Sequence, residues 1–300
     1  MSETTIEWTK RPGTVGATWN VSTGCNKVDR GCKNCYAEKM HKRLTAMGQP
    51  KYLHDFLDGA LPWEAALKEP AKWRKPRTVF VNSMSDLFHE KIDFNFLIKV
   101  FQVIKDTPRH TYLVLTKRPE RAWQFYQHME VCSGGQWDFP PNMWLGTSIN
   151  DQASADLRIP LLINIPARLH FVSYEPATGP ADIRQWLYTL ALNTSLNPIY
   201  SMRLDWVIMG GESGAKAQPM HPVWARHVRN ACLHASVPFF FKQWGQWQPH
   251  SYLRDGKPYL PAELGQGEHM LTQPTPQLMR RTREKSFNLL DGQLHQNFPA

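Results

Sequence analysis

The sequence has no run approaching the roughly eighteen apolar residues that a membrane-spanning helix needs, so no membrane association is expected. Its opening stretch, MSETTIEWTKRPG, lacks the apolar core of a secretory signal, which predicts a cytoplasmic address. Cysteine is scarce, with 5 in 300 residues. In a reducing compartment so few thiols exclude a disulfide framework, and clustering among them points to metal or redox chemistry. There is no low-complexity tract and no internal repeat beyond an alternation of short strands and helices, which leaves an ordinary globular chain. Acidic residues are outnumbered, 26 against 35 Lys and Arg, giving a formal charge of +9 and a pI near 9.3. An anionic partner is therefore favoured.

What is present is 42% hydrophobic and 20% charged, with 12 Trp, in a chain long enough for one large domain or two ordinary ones. Short β-rich apolar runs recur: TVFVNS (78–83), TYLVLT (111–116), NMWLGTSI (142–149), RLHFVS (168–173), LDWVIMGG (204–211) and VPFFFK (237–242). Their starts lie about 25 to 35 residues apart, the length of a strand–helix–strand unit. Near-continuous apolar character suits parallel strands covered on both faces. Between them, Phe94, Leu97, Ile98, Phe101 and Ile104 mark one face of a helix, and Pro119 and Pro222 open two more. With an earlier strand at 18–21, the expected fold is α/β, a full or partial (β/α) barrel of mainly parallel strands. The barrel-like domain is placed at 1–245, with an insertion at about 48–77 after the cysteine loop. A C-terminal extension at 246–300 is expected to pack on the barrel or to be partly disordered. Cys232 reads as a core residue of a helix and Cys132 as part of a loop.

Basic residues crowd three places. Lys27, Arg30, Lys33, Lys39, Lys42 and Arg43 surround the clustered cysteines; KEPAKWRKPR at 68–77 carries Trp73; RRTREK occupies 280–285. Each alone reads as a solvated face. Together, and with an aromatic interleaved to stack a base, they predict nucleic acid or a nucleotide as partner.

In parallel sheets and barrels, the loops leaving the carboxyl ends of the strands build the active site. Here those ends are polar throughout. Asn82, Ser83, Ser85 and Asp86 follow the first run, Thr116, Lys117 and Arg118 the second, and Thr147, Ser148, Asn150 and Asp151 the third. Ser173, Tyr174 and Glu175 follow the fourth, Gly210, Gly211, Glu212 and Ser213 the fifth, and Lys242, Gln243 and Trp244 the sixth. One shared polar pocket is expected. Ser83, Asp86, Ser148, Glu175, Gly210, Gly211 and Glu212 are its candidate cofactor-binding residues. The paired glycines would admit a ligand close to the backbone, and Glu212 would take an amine or a ribose hydroxyl. Lys117, Arg118 and Lys242 are candidates for a substrate phosphate or carboxylate, with Lys117 or Lys242 neutralising Glu175.

Residues 23–36 read TGCNKVDRGCKNCY and place Cys25, Cys32 and Cys35 within eleven residues. One chemistry for three close thiols is structural zinc, with His41 as the nearest fourth ligand unless it lies on the exposed side of the following helix. The other is a [4Fe–4S] cluster held by three cysteines, which leaves one iron for an exogenous ligand such as S-adenosylmethionine. A third reading needs no metal and uses Glu175 or Glu212 as general acid or base on a nucleotide.

The stretch GCNKVDRGCKNCYAEKM resembles the cysteine loop of the radical S-adenosylmethionine superfamily, particularly spore photoproduct lyase-like members with a GC…GCxxCYA pattern. Over nearly its whole length the chain resembles more closely a family of phage and mobile-element proteins known for a three-Cys motif. The matching segments are IEWT, ATWN, TGCNKV, GCKNCYAE, SMSDLFHE, LTKRPER, WLGTSIND, RIPLL, FVSYEP, LDWVIMGGESG, PMHP and VPFFFKQWG. The resemblance implies Cys25, Cys32 and Cys35 as ligands of a [4Fe–4S] cluster, S-adenosylmethionine as cofactor, and radical chemistry begun by its reductive cleavage. It also implies an electron-donor protein, and leaves a second protein partner open. The basic surface makes a nucleic acid or nucleotide the expected substrate, in modification or repair. Six residues separate Cys25 from Cys32 where the superfamily commonly has three. Asn34 stands where an aromatic usually precedes the last cysteine, and Tyr36 just beyond it is the candidate aromatic for the cofactor. SMSD occupies the place of the superfamily's Gly-Gly-Glu element. Only the three cysteines therefore carry over, and the other pocket roles rest on the strand ends. The alternative is a zinc-stabilised nucleic-acid-binding protein without catalysis.

Overall fold

The structure is a computed structural model that describes residues 4–188, 202–249, 253–254, 257–258, 278–280 and 288–299. Seven strands pair in chain order, all parallel: β1 (Val15–Trp19), β2 (Arg77–Val81), β3 (Thr111–Thr116), β4 (Met143–Ile149), β5 (His170–Tyr174), β6 (Trp206–Gly210) and β7 (Phe239–Gln243). Five α-helices are described: α1 (Tyr36–Ala46), α2 (Phe94–Asp106), α3 (Pro119–Ser133), α4 (Gln152–Ile163) and α5 (Pro222–His234). The sheet curls into a half-barrel in which β1 and β7 do not meet. The expected partial (β/α) barrel is the fold.

Side chains alternate across each strand, as the pleat requires. Tyr112 and Val114 of β3, Leu145 of β4, Val172 of β5 and Val207 of β6 point outward into the large core beneath the helices. Leu113, Trp144, Phe171, Trp206, Ile208 and Phe240 point inward and form a second core on the concave side. A 3-10 turn at Glu7–Thr9 carries Trp8 into that concavity, with its ring 4.7 Å from Phe80 and 6.4 Å from both Phe171 and Trp206. The amino-terminal half of the concave face is thus filled by aromatics, and the carboxyl-terminal half stays open. The edge of β7 is covered by the segment before the C-terminus: Phe241 N donates to His295 O at 2.7 Å and Asn297 N to Phe239 O at 3.2 Å. Phe298 packs 5.4 Å from Phe240 in the same segment. An unpaired edge is a template for aggregation, and this segment removes it.

Several local expectations are corrected. The first strand ends at Trp19 rather than Val21, because the Val21 and Ser22 amides turn to the Asn82 side-chain oxygen at 2.9 and 3.2 Å. Trp73 is not a stacking platform: it is 6% exposed, sits in the outer core, and is covered by the Arg77 guanidinium 5.2 Å from its ring. Cys132 belongs to α3 and is exposed, whereas Cys232 is buried as read. His41 is not on an exposed side; it is buried against Tyr52, His54 and Phe56, ring centroids 5.3, 4.7 and 5.4 Å away. The basic residues 281–285 lie outside the described residues. Among the described residues, no helix is long and apolar enough to cross a membrane.

Candidate functional site

A cavity of about 940 Å³ opens at the carboxyl ends of the strands. Cys25, Cys32, Cys35 and Tyr36 line one wall, delivered by the loop between β1 and α1. Ser83, Asp86, Lys117 and Arg118 come from the ends of β2 and β3. Ser148, Ser173 and Glu175 come from β4 and β5, and Gly211, Glu212 and Lys242 complete the wall. The pleat explains the choice along β4 and β5: Ser148 and Ser173, four and two residues further along their strands, share a face with Trp144 and Phe171.

The cysteine loop is clamped by ions. Asp29, between the first two cysteines, accepts from Lys117 Nζ at 2.8 Å and lies 2.7 Å from Arg158 Nη2. Burial pushes the Asp29 carboxyl up, but Lys117 and then Arg158 outweigh it and hold it down at about 2. Lys117 Nζ also lies 3.5 Å from Cys32 Sγ, and Arg118 Nη1 lies 3.8 Å from Cys25 Sγ. Arg118 is buried and spends its remaining donors on Asp86 at 3.1 Å, Glu90 at 3.2 Å and the Asn26 side-chain oxygen. Asp86 in turn accepts from Thr116 Oγ1, Phe88 N and Lys117 N at 2.7, 3.0 and 2.9 Å. Burial pushes the Cys25 thiol up to about 12, with Asp86 adding to the push and Arg118 opposing it. A metal arriving there displaces a proton.

The loop is tied to the far side of the half-barrel as well. Asn34, between the last two cysteines, donates to Glu212 Oε1 at 2.8 Å and to Lys216 O at 3.2 Å. Glu212 is buried, and its other oxygen accepts from Gln218 N at 2.7 Å. Across the cavity, Lys242 Nζ meets both oxygens of Glu175 at 2.7 and 2.8 Å. Among the described residues, no three His, Cys, Asp or Glu side chains gather closely enough to hold one metal ion.

The profile of a family described as "Protein of unknown function (DUF5131)" matches residues 3–299. The chain belongs to DUF5131. No curated protein and no solved structure matches it.

In this DUF5131 chain the residues singled out from sequence divide into two groups. Cys25, Cys32, Cys35, Tyr36, Ser83, Ser148, Glu175, Glu212 and Lys242 meet on one cavity. Of the two lysines considered for Glu175, Lys242 is its partner. Asp86 and Arg118 also border the cavity, but they are spent on each other and on the cysteine loop, so neither is free to hold a ligand. Lys117 is likewise engaged by Asp29. Gly210 does not line the cavity. A Cβ there would meet Glu175 Oε1 at 3.2 Å, and one at Gly211 would meet the Trp244 carbonyl oxygen at 2.0 Å. It is the chain itself, not a ligand, that approaches this Gly-Gly pair. Asn150 and Asp151 leave the cavity to start α4, where Asp151 caps through Ser154 N at 2.9 Å. His41 contributes no ligand toward the cysteines.

Sequence reasoning missed Asp29, Asn34 and Asn20 in this DUF5131 site. Asn20 accepts from Ser83 Oγ at 3.2 Å and Met84 N at 3.1 Å, which fixes the loop after β2. Asp29 carried a signal, being the lone acid in a basic, cysteine-bearing loop. Asn34 and Asn20 carried none, since their partners lie 178 and 63 residues away.

Proposed function

We propose that the chain is a radical S-adenosylmethionine enzyme that modifies or repairs a nucleic acid or nucleotide. The observation that carries this reading is the meeting, on one cavity, of three thiols from the loop after β1 with the polar carboxyl ends of the other strands. Cys25, Cys32 and Cys35 would hold a [4Fe–4S] cluster. Such a cluster, with one iron free of protein ligands, supplies one-electron chemistry to bound S-adenosylmethionine.

The chain's own residues divide the remaining work. Lys117 and Arg118 face two of the sulfurs and offset the negative charge that thiolates bring. Asp29, Asp86 and Asn34 fix the loop that presents them. Glu175 and Lys242, more exposed than the Asp86–Arg118 pair, would exchange each other for the amine and carboxylate of a ligand, and Ser148 and Ser173 add hydroxyls beside them. Tyr36, 63% exposed at the start of α1, offers a ring face at the rim. Lys33, Lys39 and Arg43 are exposed on the same loop and helix and have no carboxylate partner among the described residues, which supports an anionic substrate. Reducing equivalents would come from an electron-donor protein, in keeping with a cytoplasmic setting.

The test is anaerobic purification followed by iron, acid-labile sulfide and zinc analysis, beside the Cys25→Ala/Cys32→Ala/Cys35→Ala variant. About four iron and four sulfide per chain, absent from the variant, is the expected result. One zinc and no sulfide would overturn it in favour of a zinc-stabilised nucleic-acid-binding protein. Neither metal, with activity on a nucleotide kept in the variant, would favour Glu175 or Glu212 as general acid or base.

A further inference from the structure

The opposite end of the half-barrel holds a second cavity, of about 680 Å³. It lies at the amino ends of the strands, roughly 17 Å from the first along a five-residue strand. Three arginines line it, Arg11, Arg168 and Arg203, with Trp144 as an aromatic wall. One carboxylate, Asp205, lines it too, and it is engaged: Oδ1 lies 3.6 Å from Arg203 Nε, and Oδ2 accepts from His170 N at 2.9 Å. Arg11 places its guanidinium over the Trp144 ring, 5.2 Å from its centre. Neither Arg11 nor Arg168 has a carboxylate partner among the described residues.

Like charges gathered in one concavity repel each other, and a structure keeps them together at a cost unless something negative fills the space. Nothing in the first cavity requires these arginines, because they stand at the other end of the strands. The volume falls within the range of small-molecule sites, and planar guanidinium groups match phosphate oxygens in pairs. We propose that this cavity is an anion site that takes the phosphate of a nucleotide or of a polynucleotide backbone, held by Arg11, Arg168 and Arg203 beside the Trp144 ring. Binding there places a phosphate contact on the face away from the cysteines and depends on no metal.

The experiment titrates the full chain by calorimetry with inorganic pyrophosphate, adenosine diphosphate and a single-stranded oligodeoxynucleotide. The variants are Arg168→Gln, Arg168→Lys, and Lys33→Gln/Lys39→Gln on the other face. Arg168 is exposed and bonds to no described side chain, so its replacement leaves the packing intact; equal melting temperatures check this. The expected result is binding of at least one probe, weakened about tenfold by Arg168→Gln and less by Arg168→Lys, with any loss in the lysine variant confined to a separate binding event that Arg168→Gln leaves in place. Tight pyrophosphate or diphosphate binding identifies a free nucleotide as the source; oligonucleotide binding alone identifies a backbone. If no probe binds, or if all binding is lost with the lysine pair and kept in Arg168→Gln, the proposal is wrong.

Discussion

Replacing Asp86 with Ala tests how the cysteine loop is anchored. Asp86 and Arg118 side chains are 8% and 6% exposed, so removing the carboxylate leaves a buried guanidinium short of charge. Breaking a buried pair by removing one partner costs about 3–5 kcal/mol. Arg118 keeps Glu90 at 3.2 Å, which pulls the cost toward the lower end, about 3 kcal/mol, although Glu90 is 54% exposed and compensates only in part. Thr116 Oγ1, Phe88 N and Lys117 N also lose their acceptor. Urea unfolding followed by far-ultraviolet circular dichroism should show a lower midpoint with little change in slope. Melting should fall by roughly 6 °C or more. The double variant Asp86→Ala/Arg118→Met should be more stable than the sum of the single changes by about 2 kcal/mol, because the orphaned charge has gone with its partner. A loss below about 1 kcal/mol for Asp86→Ala, or strict additivity in the double variant, would refute the reasoning.

Trp73→Ala should cost about 3–5 kcal/mol of stability as a core truncation, with oligonucleotide affinity of the folded variant unchanged; a loss of affinity at unchanged stability would restore a base-stacking role. Asp29 titrates lower in the folded chain than unfolded, so its contribution is present above about pH 4 and lost as pH falls toward 2. Asp29→Asn should therefore be less stable at pH 7 by about 1–2 kcal/mol after allowance for solvent screening, a gap that closes in acid unfolding curves between those pH values. Asn34→Ala leaves the buried Glu212 carboxylate with one described hydrogen bond instead of two. It should cost about 1–3 kcal/mol and speed alkylation of Cys35 in the metal-free chain, and unchanged alkylation would mean that the loop is held elsewhere.

The partial barrel was legible because strand and helix periods are local: TYLVLT and the Phe94–Ile104 pattern say what they are within a dozen residues. The polar strand ends were legible for the same reason, and the parallel topology alone brings Ser148, Ser173, Glu175 and Lys242 to one end. Where a neighbour distant in sequence decides the role, the reading failed. Trp73 looks like a solvent-facing aromatic among lysines and arginines, yet packing takes it inside under Arg77. Arg118 looks like a free phosphate ligand, yet Asp86, 32 residues before it, claims it. Gly210 and Gly211 look like a ligand cradle, yet the Glu175 side chain and the Trp244 backbone fill the space.

By itself, then, the sequence determined the α/β layering, the polar ends of the strands, and the three thiols in the loop beside them. Only the tertiary structure decided which charged side chains face the cavity and which are consumed in holding Cys25 and Cys32 to it, and only it assembled Arg11, Arg168 and Arg203 on the opposite face. The physical reason is range. Backbone periodicity acts over a few residues, whereas an ion pair or a close backbone approach depends on partners that meet only when the whole sheet has assembled.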